Sequence, residues 1–484
     1  MEQVRLDDAR GRWVLLAAVL GSGMALLDAT VVHIALPALG QDLDAGFAGL
    51  QWTVNGYTLT LASLILLGGS LGDRFGRRRV FVVGTVWFAV ASLLCGLAPD
   101  VELLVAARML QGVGGALLAP GSLALIAGSF RAEDRGRAIG AWSGLGGVAA
   151  ALGPFVGGTL VEVSWRLVFF INLPLAAVVV AVALRHVPES RDEQSVGPLD
   201  LAGAALGAVG LAGTTYALVA YGERGATAGV AASAVAGVAG LAAFVLVERR
   251  SSSPMLPVEV FADRQFTAAN LVTFALYAAL SGVFFLLVVH LQIVAGFSPL
   301  TAGTALLPIT ACMLLLSARA GALATRIGPR LPMALGPLVC AAGVLLLRRI
   351  GPGAAYVVDV LPGAVVFGLG LSLTVAPLTA TALAAVATRY AGVASGVNNA
   401  VARAAGLLAV AVLPVVAGLA GDDYRDPVAF RAGFRTAMAV SAGLLAVGSV
   451  LAAATISDAR ARSTPVRRRH CAVDGPPVER APAP

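Results

Sequence analysis

Gly69-Ser70-Leu71-Gly72-Asp73-Arg74-Phe75-Gly76-Arg77-Arg78 returns 252 residues later as Gly321-Ala322-Leu323-Ala324-Thr325-Arg326-Ile327-Gly328-Pro329-Arg330, with five of ten positions identical. Each copy is a short arginine-bearing loop between two long apolar runs. Each follows the second run in a group of six. The spacing predicts an internal repeat: two six-helix halves, with the intervening chain inserted between them.

The runs themselves place the chain in a bilayer. Of its 484 residues, 58% are apolar and 13% charged, where a soluble domain carries about 25% charged residues. A membrane helix needs about 20 apolar residues. Windows that meet this need lie at 13–36, 50–70, 80–98, 102–123, 137–160, 167–184, 199–221, 227–247, 267–291, 301–318, 331–347, 356–378, 393–420 and 433–455. The expected fold is an all-α membrane protein of 14 transmembrane helices, two six-helix halves with two extra helices inserted between them. The chain divides into an N-terminal segment 1–12, a first half 13–184, a linker with the two extra helices 185–250, a second half 267–455 and a tail 456–484. Repeated halves are common in secondary transporters, where the substrate path runs between them. The 57 glycines suit close packing of helices in lipid. The first apolar run is too long for a signal core and no small-residue cleavage site follows it.

Arginine sets the orientation. All 34 basic residues are Arg. With the N-terminus inside, 25 fall in inside segments and 7 in outside loops and helix edges, leaving Arg108 and Arg403 within spans. Positive charge is retained on the cytoplasmic side, so both termini are expected in the cytoplasm and the chain in the inner (plasma) membrane. The net charge of +7 is spread over short loops, not gathered along one face, which argues against nucleic acid as a partner. The basic, proline-rich tail is expected to be disordered beside the anionic inner leaflet. Cys95, Cys312, Cys340 and Cys471 form no CxxC pair and no Cys/His cluster. The first three lie in apolar runs as small core residues, and no disulfide, metal or cofactor is expected.

Further stretches occur in order along the chain. They are Leu27-Asp28-Ala29-Thr30-Val31-Val32-His33-Ile34-Ala35-Leu36-Pro37, Arg108-Met109-Leu110-Gln111-Gly112-Val113-Gly114-Gly115-Ala116, Gly153-Pro154-x-x-Gly157-Gly158, Trp165-Arg166-x-x-Phe169-x-Ile171-Asn172-x-Pro174, and Leu291-Gln292 followed by Gly296-Phe297-Ser298-Pro299. Together with Gly69, Gly72, Asp73, Arg74, Gly76, Arg77 and Arg78 they resemble the motifs of the major facilitator superfamily, in its fourteen-helix drug:proton antiporter subfamily. The resemblance extends to about residue 406. His33 departs from it, standing where the family usually has Asn.

Asp28 is the leading functional residue. A charge at mid-span costs about 2.5–3.5 kcal/mol on insertion scales. Burial favours the protonated form of a carboxyl and a nearby cation favours the ionised form, which is the behaviour a proton-coupling site needs. The structural alternative is a permanently paired Asp. Asp28 lies about 12 Å below the outer end of its span and Arg108 about 9 Å below the start of its own, at 1.5 Å per residue. The two can therefore meet, and the resemblance gives the Arg a role in proton transfer. Gln111 extends the Arg108 face by one turn. His33, five residues from Asp28 and about 140° around the helix, is expected to face elsewhere, nearer the outer mouth. Gly392, Gly396, Asn399, Arg403 and Gly406 form one small, polar stripe. That stripe marks Asn399 and Arg403 as candidates for a cavity wall or an inter-half contact, with Gln111 and His33 as further cavity candidates.

The resemblance implies two more roles. Asp73 would meet a helix N-terminus in the other half and latch the outward-facing state; Thr325 replaces it in the second copy, so only the first half would carry the latch. Gly153, Pro154, Gly157 and Gly158 would be the antiporter motif, where the residues alone predict close packing and a kink. The implied protein is a monomeric, proton-coupled antiporter that exports small lipophilic compounds by alternating access. A dedicated exporter of one metabolite, such as a self-made antibiotic, is the nearest rival, and a non-transporting membrane sensor a remote one. An intramembrane enzyme would need paired carboxylates, a nucleophile with its base, or a metal cluster within the spans, and these are lacking. The tenth and thirteenth spans hold no Asp or Glu, so neutral, anionic or monovalent substrates are expected and divalent cations are not.

Overall fold

A computed structural model describes residues 4–191, 199–251, 254–386 and 391–458. Among these, 14 helices are long and apolar enough to cross a membrane. They are α1 (Ala9–Asp42), α2 (Phe47–Phe75), α3 (Arg77–Leu97), α4 (Val101–Ser129), α5 (Ala132–Val163), α6 (Leu167–His186), α7 (Leu201–Arg224), α8 (Ala228–Arg250), α9 (Arg264–Ile293), α10 (Pro299–Ile327), α11 (Arg330–Leu347), α12 (Tyr356–Ala384), α13 (Ala391–Val416) and α14 (Pro427–Thr455). Their apolar residues run around the whole circumference, as expected for helices with protein on one side and lipid on the other. Val83, Val90, Leu97, Val163 and Val238 stay exposed on the outside of the bundle.

Helices outrun their apolar windows where polar ends continue the hydrogen-bond ladder. The window 50–70 becomes Phe47–Phe75. The window 393–420 is instead cut short at Val416, because Gly418 adopts a left-handed φ of 72° and ends the helix.

Helices α1 to α6 pack as one bundle and α9 to α14 as another. The two meet chiefly along three pairs: α1 with α9, α2 with α13, and α5 with α10. The α7–α8 hairpin sits outside this core, with α7 against α2 and α13. Both described chain ends lie on the face that carries the arginine loops.

The repeat loop has the same construction in both halves. Gly76 and Gly328 close α2 and α10 with φ of 109° and 93°, a region that L side chains rarely adopt. The carboxylate after the last helix of each half then caps the helix that follows the loop. Glu189 accepts from the Arg78 amide at 3.0 Å, and Asp458 accepts from the Arg330 amide at 2.9 Å. The same two arginines donate to carbonyls at or near the end of that last helix, Arg78 to Val187 and Arg330 to Ala453, where a cation is favoured by the helix dipole.

These contacts hold the chain beyond the last helix of each half. The tail does not leave the body at residue 456: Ile456 is buried, Ser457 donates to Gln265 and Asp458 caps α11. Residues 459–484, including Cys471, lie outside the described residues, as does Arg389. The linker also begins packed on the first half, with Val187 and Ser190 buried against the loop after α2.

Candidate functional site

Asp28 sits midway along α1 and is wholly buried, as is Arg108 on α4 (0% and 1% exposed). Arg108 Nη1 donates to Asp28 Oδ2 at 2.6 Å and to Gln111 Oε1 at 2.6 Å, while its Nε donates to the Thr53 carbonyl of α2 at 3.0 Å. The other Asp28 oxygen accepts from Gln111 at 2.9 Å and from Asn172 of α6 at 3.1 Å. Ser92 of α3 ties the last two together, accepting from Asn172 at 3.0 Å and Gln111 at 3.3 Å. The Tyr57 ring lies 4.4 Å from the Arg108 guanidinium carbon, and Phe169 closes the far side at 5.8 Å. Five helices of the first half thus enclose one ion pair. A buried pair repays its desolvation only when its remaining donors and acceptors are met, and here Gln111, Asn172 and the Thr53 carbonyl meet most of them.

The pairing of Asp28 with Arg108 follows the matched depths of the two residues. Gln111 departs from expectation. It is fully buried in this network and does not line a cavity, because the Arg108–Gln111 face of α4 turns toward α1 and α3. Asn172 stood within a quoted motif without an assigned role, and Ser92 carried no signal at all.

A cavity of about 410 Å³ opens between the halves on the other side of α1. Leu26, Ala29 and His33 line it from α1, and Val54, Asn55 and Thr58 from α2. The second half contributes Tyr277 and Ser281 of α9, Thr379 and Leu383 of α12, and Asn398, Asn399 and Arg403 of α13. His33, Asn399 and Arg403 therefore do reach a cavity wall. The His33 ring meets Phe285 edge-on at 6.3 Å, and its Nδ1 has no partner among the described residues. Asn398 is tied back to Thr273 at 2.8 Å and Asn399 to its own helix.

The halves are fastened at the face opposite the arginine loops. Among the described residues the hydrogen bonds that cross between halves gather there. Gln51 donates to the Val410 carbonyl at 2.7 Å and Gln292 to the Ile34 carbonyl at 3.0 Å. Ser298, the cap of α10, donates to Glu162 at 3.0 Å. The Phe47 amide donates to Gly421, and the Tyr424 hydroxyl to Ala45, each at 2.8 Å. Arg425 adds an ion pair to Asp44 at 2.8 Å; its hydrogen bonds to the Tyr424 hydroxyl and then to Asp44 raise its pKa and keep it charged.

The glycine motif serves this closure. Gly153 faces Thr30 and Gly157 faces Val31 and Ile34, bringing α5 against α1. A Cβ on Gly158 would lie 2.6 Å from the Leu300 Cα, on the backbone of the other half. The Pro154 carbonyl in turn meets Gly303 of α10. At the arginine-rich face Asp73 stays within its own half, pairing with Arg77 at 2.8 Å. Gly69 lies near Pro120 and Gly72 near Arg77, so the loop packs on the first half.

A sequence profile of the Major Facilitator Superfamily matches residues 18–411. The chain is 37% identical over 462 residues to a puromycin resistance protein of Streptomyces alboniger, covering 92% of this chain and 91% of that protein. It is 36% identical over 430 residues to a tetracenomycin C resistance and export protein of Streptomyces glaucescens (86% and 78% covered). It is 35% identical over 389 residues to a multidrug resistance protein of Mycobacterium tuberculosis (80% and 72% covered). Among solved structures it resembles a bacterial homologue of the human lysosomal transporter Spinster in an inward-facing, unoccupied conformation. The TM-score is 0.67 at 16% identity, over 93% of this chain and 97% of that one.

Proposed function

The chain belongs to the major facilitator superfamily, and from that premise we propose that it exports small lipophilic compounds across the plasma membrane in exchange for protons. The observation that carries this is the arrangement around α1. On one side a sealed carboxylate is held by Arg108; on the other lies a cavity shared by two repeated halves whose hydrogen bonds to one another, among the described residues, gather at one face.

With the arginine-rich face in the cytoplasm, both termini are cytoplasmic and the arrangement is inward-facing. Substrate enters the cavity from the cytoplasm or inner leaflet. Release of the outer fastening and closure of the inner face then present it outside. Asp28 is the proton carrier. Loaded from outside, it weakens its hold on Arg108; unloaded inside, it re-forms the pair. Arg108, Gln111, Asn172 and Ser92 set how readily that proton leaves. Asp73 is a latch for the outward-facing state, in which it exchanges Arg77 for a helix N-terminus of the second half. The cavity is complete within one chain, which supports a monomer as the working unit.

Relatives named for a single antibiotic, puromycin or tetracenomycin C, favour a narrower second reading: dedicated export of one metabolite. Inverted membrane vesicles decide between them. Uptake of puromycin, tetracenomycin C and a panel of lipophilic dyes is measured with and without an imposed proton gradient. Gradient-dependent uptake of many compounds supports multidrug export; uptake of one supports the dedicated form. If Asp28→Asn still accumulates substrate with full dependence on the gradient, or if no compound is moved, the antiport reading fails.

A further inference from the structure

Arg403 is a charged residue inside a membrane helix with no carboxylate within ion-pair distance among the described residues. It lines the cavity from α13, and its Nε is buried without a partner. This sets it apart from Arg108, which has its acid at 2.6 Å. A cation removed from water without a counter-charge is costly, and that cost rises when the cavity closes around its contents. No Asp or Glu lines the cavity to offset it. Tyr277 of α9 and Tyr57 of α2, on the packed helices, lie within electrostatic range of Arg403. His33 is the one further titratable group in the wall.

On α2 of the first half, which packs against α13, stands a second unsatisfied group. Asn55 is 0% exposed, lines the same space, and neither its amide nitrogen nor its carbonyl oxygen has a partner. A buried amide is normally bonded, so a donor and an acceptor here are left for something else. Leu26, Val54 and Leu383 supply apolar wall around them. The volume of about 410 Å³ suits a drug-sized molecule.

We propose that Arg403 and Asn55 form the polar end of the substrate site, and that its preferred cargo is a lipophilic organic anion, an apolar body bearing a carboxylate or ionised phenol. Arg403 pairs with the anionic oxygen and Asn55 bonds a neighbouring carbonyl or hydroxyl. The two residues lie on opposite halves, so a bound anion spans the path between them. Efflux of an anion and entry of a proton are both favoured by an interior-negative potential. The inference rests on the transport reading above and names the substrate class for it.

Three fluorescent compounds of one scaffold test it: pyrenebutyric acid, pyrenebutyramide and pyrenebutylamine, which are anionic, neutral and cationic at neutral pH. Binding to the purified full-length protein is read by fluorescence anisotropy, and uptake in inverted vesicles by accumulation. The wild type should favour the acid over the amide and exclude the amine. Arg403→Gln should lower the acid-to-amide affinity ratio roughly tenfold or more, the loss expected for one charge-assisted hydrogen bond, and Arg403→Lys should restore part of it. Asn55→Leu should weaken acid and amide together. If Arg403→Gln weakens acid and amide equally while the protein elutes and melts normally, or if the wild type favours the amine, the proposal is overturned. Proton-driven, Asp28-dependent uptake of the amide alone would sink this proposal and leave antiport standing. No proton-driven uptake of any compound would sink antiport first.

Discussion

Arg108 donates to Asp28 at 2.6 Å, and the other oxygen of the same carboxylate is bonded by Gln111 and Asn172. Neither charge touches the cavity, so whatever reaches Asp28 must first open this network. The pair is costly to break from one side. Arg108→Ala, which leaves a buried carboxylate unpaired, should destabilise the protein by about 3–5 kcal/mol. The double variant Asp28→Asn with Arg108→Ala should recover much of that loss, and Asp28→Asn alone completes the set. Thermal unfolding of the four proteins in detergent gives the cycle, and additive losses would show that the two residues are not coupled.

At the fastened face, the Tyr424 hydroxyl bridges to the Ala45 carbonyl across the halves. Tyr424→Phe keeps the ring packed on Phe47; it removes the bond from Arg425, which lies within the second half, and the one bond of this hydroxyl that crosses the halves, worth about 1 kcal/mol. The balance should move toward the outward-open form by roughly fivefold. Spin labels placed across the outer ends of α2 and α13 would show a longer-distance population growing at the expense of the short one.

Asp73 should act in the opposite sense. Its bond to Arg77 is a partly exposed pair one turn apart, worth about 0.3–0.5 kcal/mol for such a helical pair, so Asp73 is cheaply released to another partner. Asp73→Asn should depopulate the outward-open form and partly cancel the effect of Tyr424→Phe in the double variant. The same spin-label distances report both, and a shift of equal sign would remove Asp73 as a latch.

Gly158 admits no side chain while the outer ends are closed, since a Cβ would press on the backbone of α10 at 2.6 Å. Gly158→Val should hold the outer face open and reduce export at least tenfold. A cysteine placed at Val410, in a background without the native thiols, should become reactive to a membrane-impermeant maleimide added from outside. Unchanged labelling together with normal export would show that α5 and α10 need not approach so closely.

The spans were legible because lipid demands length and apolarity, and the halves because one turn is used twice, with Gly76 and Gly328 in the same unusual backbone region. The meeting of Asp28 with Arg108 was legible from depth alone, since two antiparallel helices advance at the same rise per residue. What depth cannot give is rotation. Gln111 looked like a cavity residue because the sequence does not say which way α4 turns. Ser92 is one hydroxyl among many in apolar helices, and its place in the network depends on how α3, α4 and α6 pack. Glu189, Asp458 and Tyr424 act on partners 111, 128 and 379 residues away. No periodicity connects such pairs; only the assembled bundle does.

Leu26, Ala29 and His33 face the cavity from the same helix whose Asp28 is sealed on its far side. On the function proposed above, the engine of the protein is lodged entirely in its first half, while much of the cavity wall offered to the cargo belongs to α9, α12 and α13 of the second. Descent can therefore alter taste without retuning the power supply. Exchanging second halves between relatives of different specificity should yield pumps that keep one drive and adopt another's preferences, with α1 as the single stretch where a change disturbs both.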